Sequence, residues 1–310
     1  MLFSWTPDFV PNKIFIFGCG GTGSRVVPLV AQFIKSCPWV LDPEIILVDF
    51  DRVEEKNLLR QNFISRDVGY NKAVVLANRY SAAFNINMSA YTSRLNTFAL
   101  STAEEREVYS SIGDKLSQNI GNNNIFVMCV DSPEARREIL NSLKEIVRSR
   151  STNLLIDGGN ENDFGQVVIS STNTISEPTK ALDMLKEIRN DSPIEVKIPY
   201  IPLNNKYYSE MKHNATPSCA DLDQTMAINT MVAVNIFGLI QNVYYVKPIS
   251  FHRINISLQH GCTLEYMQPE YLRKCSSKER GDNTLYKAIS EALEQQEEWD
   301  ASMKPAEKTE

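Results

Sequence analysis

The segment Gly18-Cys19-Gly20-Gly21-Thr22-Gly23 follows directly on the apolar run Lys13-Ile14-Phe15-Ile16-Phe17 and leads into a helical pattern from Ser24 to about Ile34. A strand, a glycine loop and a helix in that order constrain this chain more than any other feature. The glycines let the backbone approach a phosphate, and the helix N-terminus adds exposed N–H donors and a partial positive charge. The helix places Val26, Val27, Leu29, Val30 and Phe33 on one apolar face. The same residues would also serve as a plain strand-to-helix turn, so a ligand has to be argued from residues further along the chain.

Ile45-Ile46-Leu47-Val48-Asp49 is a continuous apolar run of the kind found in buried parallel strands. A polar segment from Asp51 to Arg66 leads to a helical stretch over about 70–84 and a strand-like segment at 87–91. After a polar, Asn-rich stretch, Ile125–Val130 reads as another buried strand, followed by a helix from Pro133 to about Arg148 and a strand at Leu154–Asp157. This alternation predicts βαβ units and an α/β fold with a mostly parallel central sheet. Beyond Gly165–Ile169 the pattern weakens into a long polar stretch. An apolar helix resumes from Ala220 to about Tyr245, with Met226, Ala227, Thr230, Met231, Val234 and Phe237 at helical spacing, and Ile249–Leu258 alternates as a final strand. Residues 1–260 are expected to form the folded unit, with 172–218 a crossover loop and 261–310 a polar C-terminal tail.

Composition excludes some functions. The net charge of -6 argues against a nucleic-acid binder, since phosphate affinity is carried by excess Lys and Arg. Six cysteines occur without a C-x-x-C pair, and there are three histidines, so no zinc is expected. Neither a signal peptide nor an uninterrupted apolar stretch of about 18 residues is evident. A cytoplasmic chain with reduced thiols and no membrane contact is the expectation.

Asp49, at the end of the second strand, stands where an acidic group accepts ribose hydroxyls. The polar residues after it, Asp51, Asn57, Arg60, Gln61 and Lys72, suit a triphosphate better than a nicotinamide. Arg60 and Lys72 would neutralise phosphate charge, with Asn57 and Gln61 as fixed donors. The alternative is a solvated polar loop. Asp131, ending the strand at 125–130, reads as a Mg²⁺ ligand or as the N-cap of the next helix. Arg136 and Arg137 read as a solvated helix face.

In order along the chain, G-x-G-G-x-G (Gly18, Gly20, Gly21, Gly23), D-x-D-x-V-x-x-x-N-L-x-R-Q (Asp49, Asp51, Asn57, Arg60, Gln61), D-V-G-x-x-K-A (Lys72) and a strand ending in Asp131 with Arg136 five residues on resemble the ThiF/MoeB and ubiquitin-activating enzyme superfamily. The resemblance implies a Rossmann-like adenylation fold and ATP-dependent adenylation of the C-terminal glycine of a ubiquitin-like protein, with pyrophosphate released. It assigns the ribose to Asp49, the phosphates to Asn57, Arg60, Gln61 and Lys72, and Mg²⁺ to Asp131. A homodimer is implied as well.

The family's second step needs a cysteine before the helix that follows the crossover. Cys219, in Thr216-Pro217-Ser218-Cys219-Ala220-Asp221, is the candidate for thioester formation and transfer to a conjugating-enzyme-like protein, with His213 near it in sequence. A merely buried small residue is the alternative, and Asp221 would work against a thiolate. Two departures stand out: the C-x-x-C pairs of many sulfur-carrier enzymes are absent, and residues 1–12 hold no arginine to reach a partner's ATP. Lys13 or Arg25 would have to substitute, or that finger is missing. The build is most similar to bacterial ThiF-like enzymes of ubiquitin-like conjugation operons, of PRTRC or antiviral Bil type. A sulfur-carrier adenylyltransferase of the thiamin or molybdopterin type and a non-catalytic scaffold subunit are the other readings.

Overall fold

The structure is a computed structural model that describes residues 2–37, 43–92, 123–146, 152–171, 195–197 and 225–268. In chain order the elements are β1 (Leu2–Ser4), β2 (Lys13–Phe17), α1 (Gly23–Ser36), β3 (Glu44–Val48), α2 (Lys72–Phe84), β4 (Met88–Tyr91) and β5 (Asn124–Met128). There follow α3 (Pro133–Ile146), β6 (Asn153–Asn160), β7 (Phe164–Ser171), β8 (Glu195–Lys197), α4 (Met226–Tyr244), β9 (Phe251–Ser257) and β10 (Gly261–Tyr266). Eight strands form one sheet in the order β10-β9-β7-β6-β5-β2-β3-β4. The strands from β4 to β6 run parallel, and β7, β9 and β10 continue antiparallel. This is the α/β Rossmann-like architecture that the alternating pattern predicts.

Side chains alternate across the strands and build two cores. Ile14, Ile16, Ile45, Leu47, Ile125 and Val127 face α1, α2 and α4. Phe15, Phe17, Ile46, Phe126 and Met128 face the other way, against Ile139, Leu140 and Leu143 of α3. Each such fully buried side chain contributes about 1.5–3 kcal/mol. A parallel sheet covered on both faces explains why the central strands read as unbroken apolar runs.

Helix α4 departs from the expected stripe. Its buried face is Ile228, Asn229, Val232, Ala233, Ile236, Leu239, Ile240 and Val243, whereas Met226 and Val234 of that stripe are exposed. A helix apolar nearly all round offers two stripes, and contact with β6, β7 and β9 selects between them. By length and composition alone α4 would be long and apolar enough to cross a membrane; here it packs on the sheet and carries Asn229 and Asn235. It starts at Thr225, whose hydroxyl accepts the Ile228 N–H at 3.4 Å. At the other end, β10 occupies residues expected to belong to the polar tail and pairs with β9 from Gly261 to Tyr266.

Candidate functional site

Register brings the site together. Phe17 of β2 stands opposite Val48 of β3 and Met128 of β5, so the three strands end level. The chain leaves β2 towards β3 on one side and reaches β5 on the other. The crevice at the carboxyl ends of β2 and β5 is therefore the topological switch point, where open α/β sheets bind ligands. A cavity of about 370 Å³ opens there.

The glycine loop forms one wall. Gly18 has φ +86°, and a Cβ on it would lie 2.8 Å from the Cys129 carbonyl oxygen. A Cβ on Gly23 would fall 1.9 Å from the Gly18 oxygen. These two glycines are required by the packing of loop against strand. Gly20 differs: its nearest neighbour would be Gln61 Nε2 at 3.8 Å, so the missing side chain keeps cavity space open rather than relieving a clash.

Asp49 links β3 to this loop. Its Oδ2 accepts the Cys19 N–H at 2.6 Å and its Oδ1 accepts the Asp51 N–H at 2.8 Å. Burial pushes its carboxyl above the usual range, while those two N–H groups and Lys72 pull the other way. Lys72, buried in the first turn of α2, donates from Nζ to Asp51 Oδ2 at 3.0 Å. Asn71 caps α2 through the Val74 N–H at 3.1 Å and donates to the Asp49 and Asp51 carbonyls. Buried Asn57 accepts the Glu54 N–H at 2.9 Å, which shapes the turn carrying Arg60 and Gln61. Gln61 Oε1 is buried with no hydrogen-bond partner among the described residues, which is uncommon for a buried polar atom.

Opposite stand Asp131 and the start of α3. The cap position belongs to Ser132, whose hydroxyl accepts the Ala135 N–H at 3.1 Å. Asp131 is exposed at the cavity instead, with Glu134 and Glu138 along the same wall. Among the described residues no three His, Cys, Asp or Glu side chains cluster as a metal cage. That donor set fits Mg²⁺, which is commonly held by one or two carboxylates together with the phosphates of a nucleotide.

Gly18, Gly20, Gly21, Asp49, Asp51, Asn57, Arg60, Gln61, Lys72 and Asp131 thus line a single cavity, with Gly23 opening α1 beneath it. Sequence reasoning missed Asn229, Asn160 and Thr22. Asn229 Oδ1 accepts from Thr22 Oγ1 at 3.1 Å and from Asn160 Nδ2 at 2.7 Å, joining α4 and β6 to the loop. A polar residue on the buried side of an apolar helix is the available signal. Arg136 is a correction: it is buried, and its guanidinium bonds Asp157 Oδ1 at 3.0 Å and the Gly158 carbonyl at 2.9 Å. Arg137, paired with Glu134 at 2.9 Å, is on the surface as expected. Lys13 pairs with Glu44 at 3.2 Å, and Arg25 is bound within its own chain.

The thiols divide clearly. Cys19 and Cys129 are buried; burial raises both, Cys19 well above its ordinary value and Cys129 to about 12. Cys262 is exposed, but β10 lies four strands from β5, about 19 Å at the usual strand spacing. Cys219 and His213 lie outside the described residues, as do Cys275 and residues 269–310. The described part of α4 starts at its Thr225 cap.

The fold and cavity define an α/β protein with a glycine-loop cavity at the sheet's switch point. The ThiF family model matches residues 10–254, and the chain belongs to the ThiF family. No curated protein sequence matches it. Among solved structures it is similar to E. coli MccB with ATP, at 20% identity and TM-score 0.50, over 83% of this chain and 64% of that one. It is also similar to selenomethionyl PaaA, at 17% identity and TM-score 0.51, over 83% of this chain and 73% of that one. The chain spans just under two thirds of the MccB length, and at these identities the likeness is one of fold.

Proposed function

We propose that this chain is an ATP-dependent adenylating enzyme that activates the C-terminal glycine of a ubiquitin-like protein. The observation that carries the reading is the convergence of the open glycine loop, Arg60, Lys72 and Asp131 on one cavity. A scaffold has no use for Arg60 and Lys72 together at one glycine-loop cavity. Family membership and the ATP in the structure of MccB support the same reading.

In this reading Asp49 accepts the ribose hydroxyls, and the apolar wall of Val130, Ala135 and Ile139 takes the base. The glycine loop, Asn57, Gln61, Arg60 and Lys72 hold the triphosphate. Asp131, with phosphate oxygens, would hold Mg²⁺, which neutralises phosphate charge when bound. A carboxylate oxygen of the substrate attacks the α-phosphorus, the bond to the β-phosphate oxygen breaks, and pyrophosphate leaves with its electron pair. Alignment and charge neutralisation drive this step, with no general base required. The Cys219 thiolate then attacks the acyl carbon and AMP leaves, giving a thioester for a conjugating-enzyme-like protein. The described cysteines support that choice indirectly, since those near the cavity are buried with raised thiols. A homodimer is proposed on the family resemblance, and the unpaired thiols of the described cysteines Cys19, Cys37, Cys129 and Cys262 suit a reducing, cytoplasmic setting.

The test is pyrophosphate exchange into ATP with a ubiquitin-like protein ending in glycine, and with the same protein shortened by that glycine. Exchange with the first and none with the second is expected. Exchange that ignores the truncation contradicts the substrate assignment.

A further inference from the structure

Arg25 stands in the first turn of α1, a place where a cation opposes the helix dipole. Residues that break a local rule of this kind commonly serve a site. Its Nη1 donates to the Gly21 carbonyl at 2.6 Å and to the Arg60 carbonyl at 2.7 Å. Its Nε donates to Thr230 Oγ1 at 3.1 Å, and that hydroxyl donates in turn to the Met226 carbonyl at 2.8 Å. One guanidinium therefore spans the glycine loop, the turn that carries Arg60, and the first turns of α4. Arg25 itself does not line the cavity.

The loop needs such a brace. Gly20 and Gly21 have no side chains to hold the loop in place. The backbone N–H groups of Arg60 and Gln61 both bond locally, to the Asn57 carbonyl at 3.2 and 2.8 Å. Asn62 donates from its N–H to Ser24 Oγ at 3.1 Å and from Nδ2 to the Ser24 carbonyl at 3.2 Å, which ties the chain after Gln61 to the start of α1 but does not reach Gly20 or Gly21. Arg25 makes that direct link through one nitrogen that bonds both the Gly21 and the Arg60 carbonyl. A planar fork with several donors suits this task, and its fixed geometry transmits position better than a flexible ammonium.

We infer that Arg25 is a positioning residue that sets the glycine loop and Arg60 at the separation a nucleoside triphosphate requires. The inference rests on the reading that the cavity takes ATP. In that reading Arg25 governs the contacts that the glycine loop and Arg60 would make to the β- and γ-phosphates, and leaves the ribose and base contacts at Asp49 and the apolar wall untouched.

The experiment compares ATP and AMP, each titrated into the full-length protein and into Arg25→Gln, Arg25→Lys and Thr230→Val. Arg25→Gln is expected to weaken ATP about tenfold or more while AMP stays within about twofold. Arg25→Lys should recover part of the ATP affinity, because one ammonium can reach both carbonyls. Thr230→Val, which removes the Nε partner together with the bond to the Met226 carbonyl and leaves both Nη1 bonds in place, should show a smaller loss of the same selective kind. Parallel weakening of ATP and AMP, or unchanged ATP binding in Arg25→Gln, overturns the inference. Should Arg25→Gln fail to fold, the same comparison on Arg25→Lys and Thr230→Val decides it by the same criterion. Wild-type protein that binds neither nucleotide overturns the underlying reading of the cavity, an outcome distinct from both.

Discussion

The Arg136 guanidinium lies 3.0 Å from Asp157, Nε to Oδ1, and both side chains are buried at the junction of α3 with β6. This pair fixes the first turn of α3, and with it Asp131 and Ser132, against the end of the sheet. Removing one member strands the other as an uncompensated buried charge. Arg136→Met is expected to lower stability by about 3–5 kcal/mol, read from urea unfolding. The double variant Arg136→Met/Asp157→Leu should lose less than that single variant. A loss under about 1 kcal/mol for Arg136→Met contradicts the buried-pair account.

The glycines separate into two kinds. Gly23→Ala puts a methyl 1.9 Å from the Gly18 carbonyl oxygen, and a loss of about 1–3 kcal/mol or more is expected in thermal or urea unfolding. Gly20→Ala meets nothing nearer than 3.8 Å, so stability should hold within about 0.5 kcal/mol while ATP binding weakens. ATP affinity equal to wild type in Gly20→Ala would mean the phosphates lie elsewhere.

His252 sets a pH dependence. Burial lowers its imidazole from 6.5 to about 4, with Glu265 opposing the shift and Arg253 adding to it. The unfolded chain takes up a proton near pH 6.5 that the folded chain refuses until about pH 4. The stability that His252 contributes is present above pH 6.5 and is lost as pH falls through that window. Urea midpoints at neutral pH and at about pH 5 should fall further apart in wild type than in His252→Gln. Equal pH dependence in the two proteins would mean that His252 is not the group responsible.

Thiol reactivity should follow burial. Under native conditions an alkylating reagent is expected to label Cys262 and to spare Cys19 and Cys129, as read by mass spectrometry. Labelling of Cys19 at the rate of Cys262 would place the glycine loop in a more open state.

Much of the fold and cavity is legible from the chain alone, for identifiable reasons. The central strands are buried on both faces, so Ile14–Phe17 and Ile125–Met128 announce themselves as apolar runs. The glycine loop and the residues from Asp49 to Lys72 lie close in sequence to the strands that carry them, which makes the cavity readable. Arg136 reads as a surface residue because its partner Asp157 is 21 residues away and leaves no local trace. The buried face of α4 is ambiguous in sequence because the helix has a second apolar face and only tertiary contact selects one. β10 reads as tail because it is an edge strand with exposed side chains. Ser132 displaces Asp131 as the cap by one residue, a distinction only the geometry makes.

The most direct test is a titration of MgATP into the full chain, alongside Arg60→Ala and Lys72→Ala. Wild type is predicted to bind and each variant to lose about tenfold or more, since each removes a charged phosphate contact. Wild type that does not bind, or two variants that bind as wild type does, would contradict the assignment of this cavity to ATP.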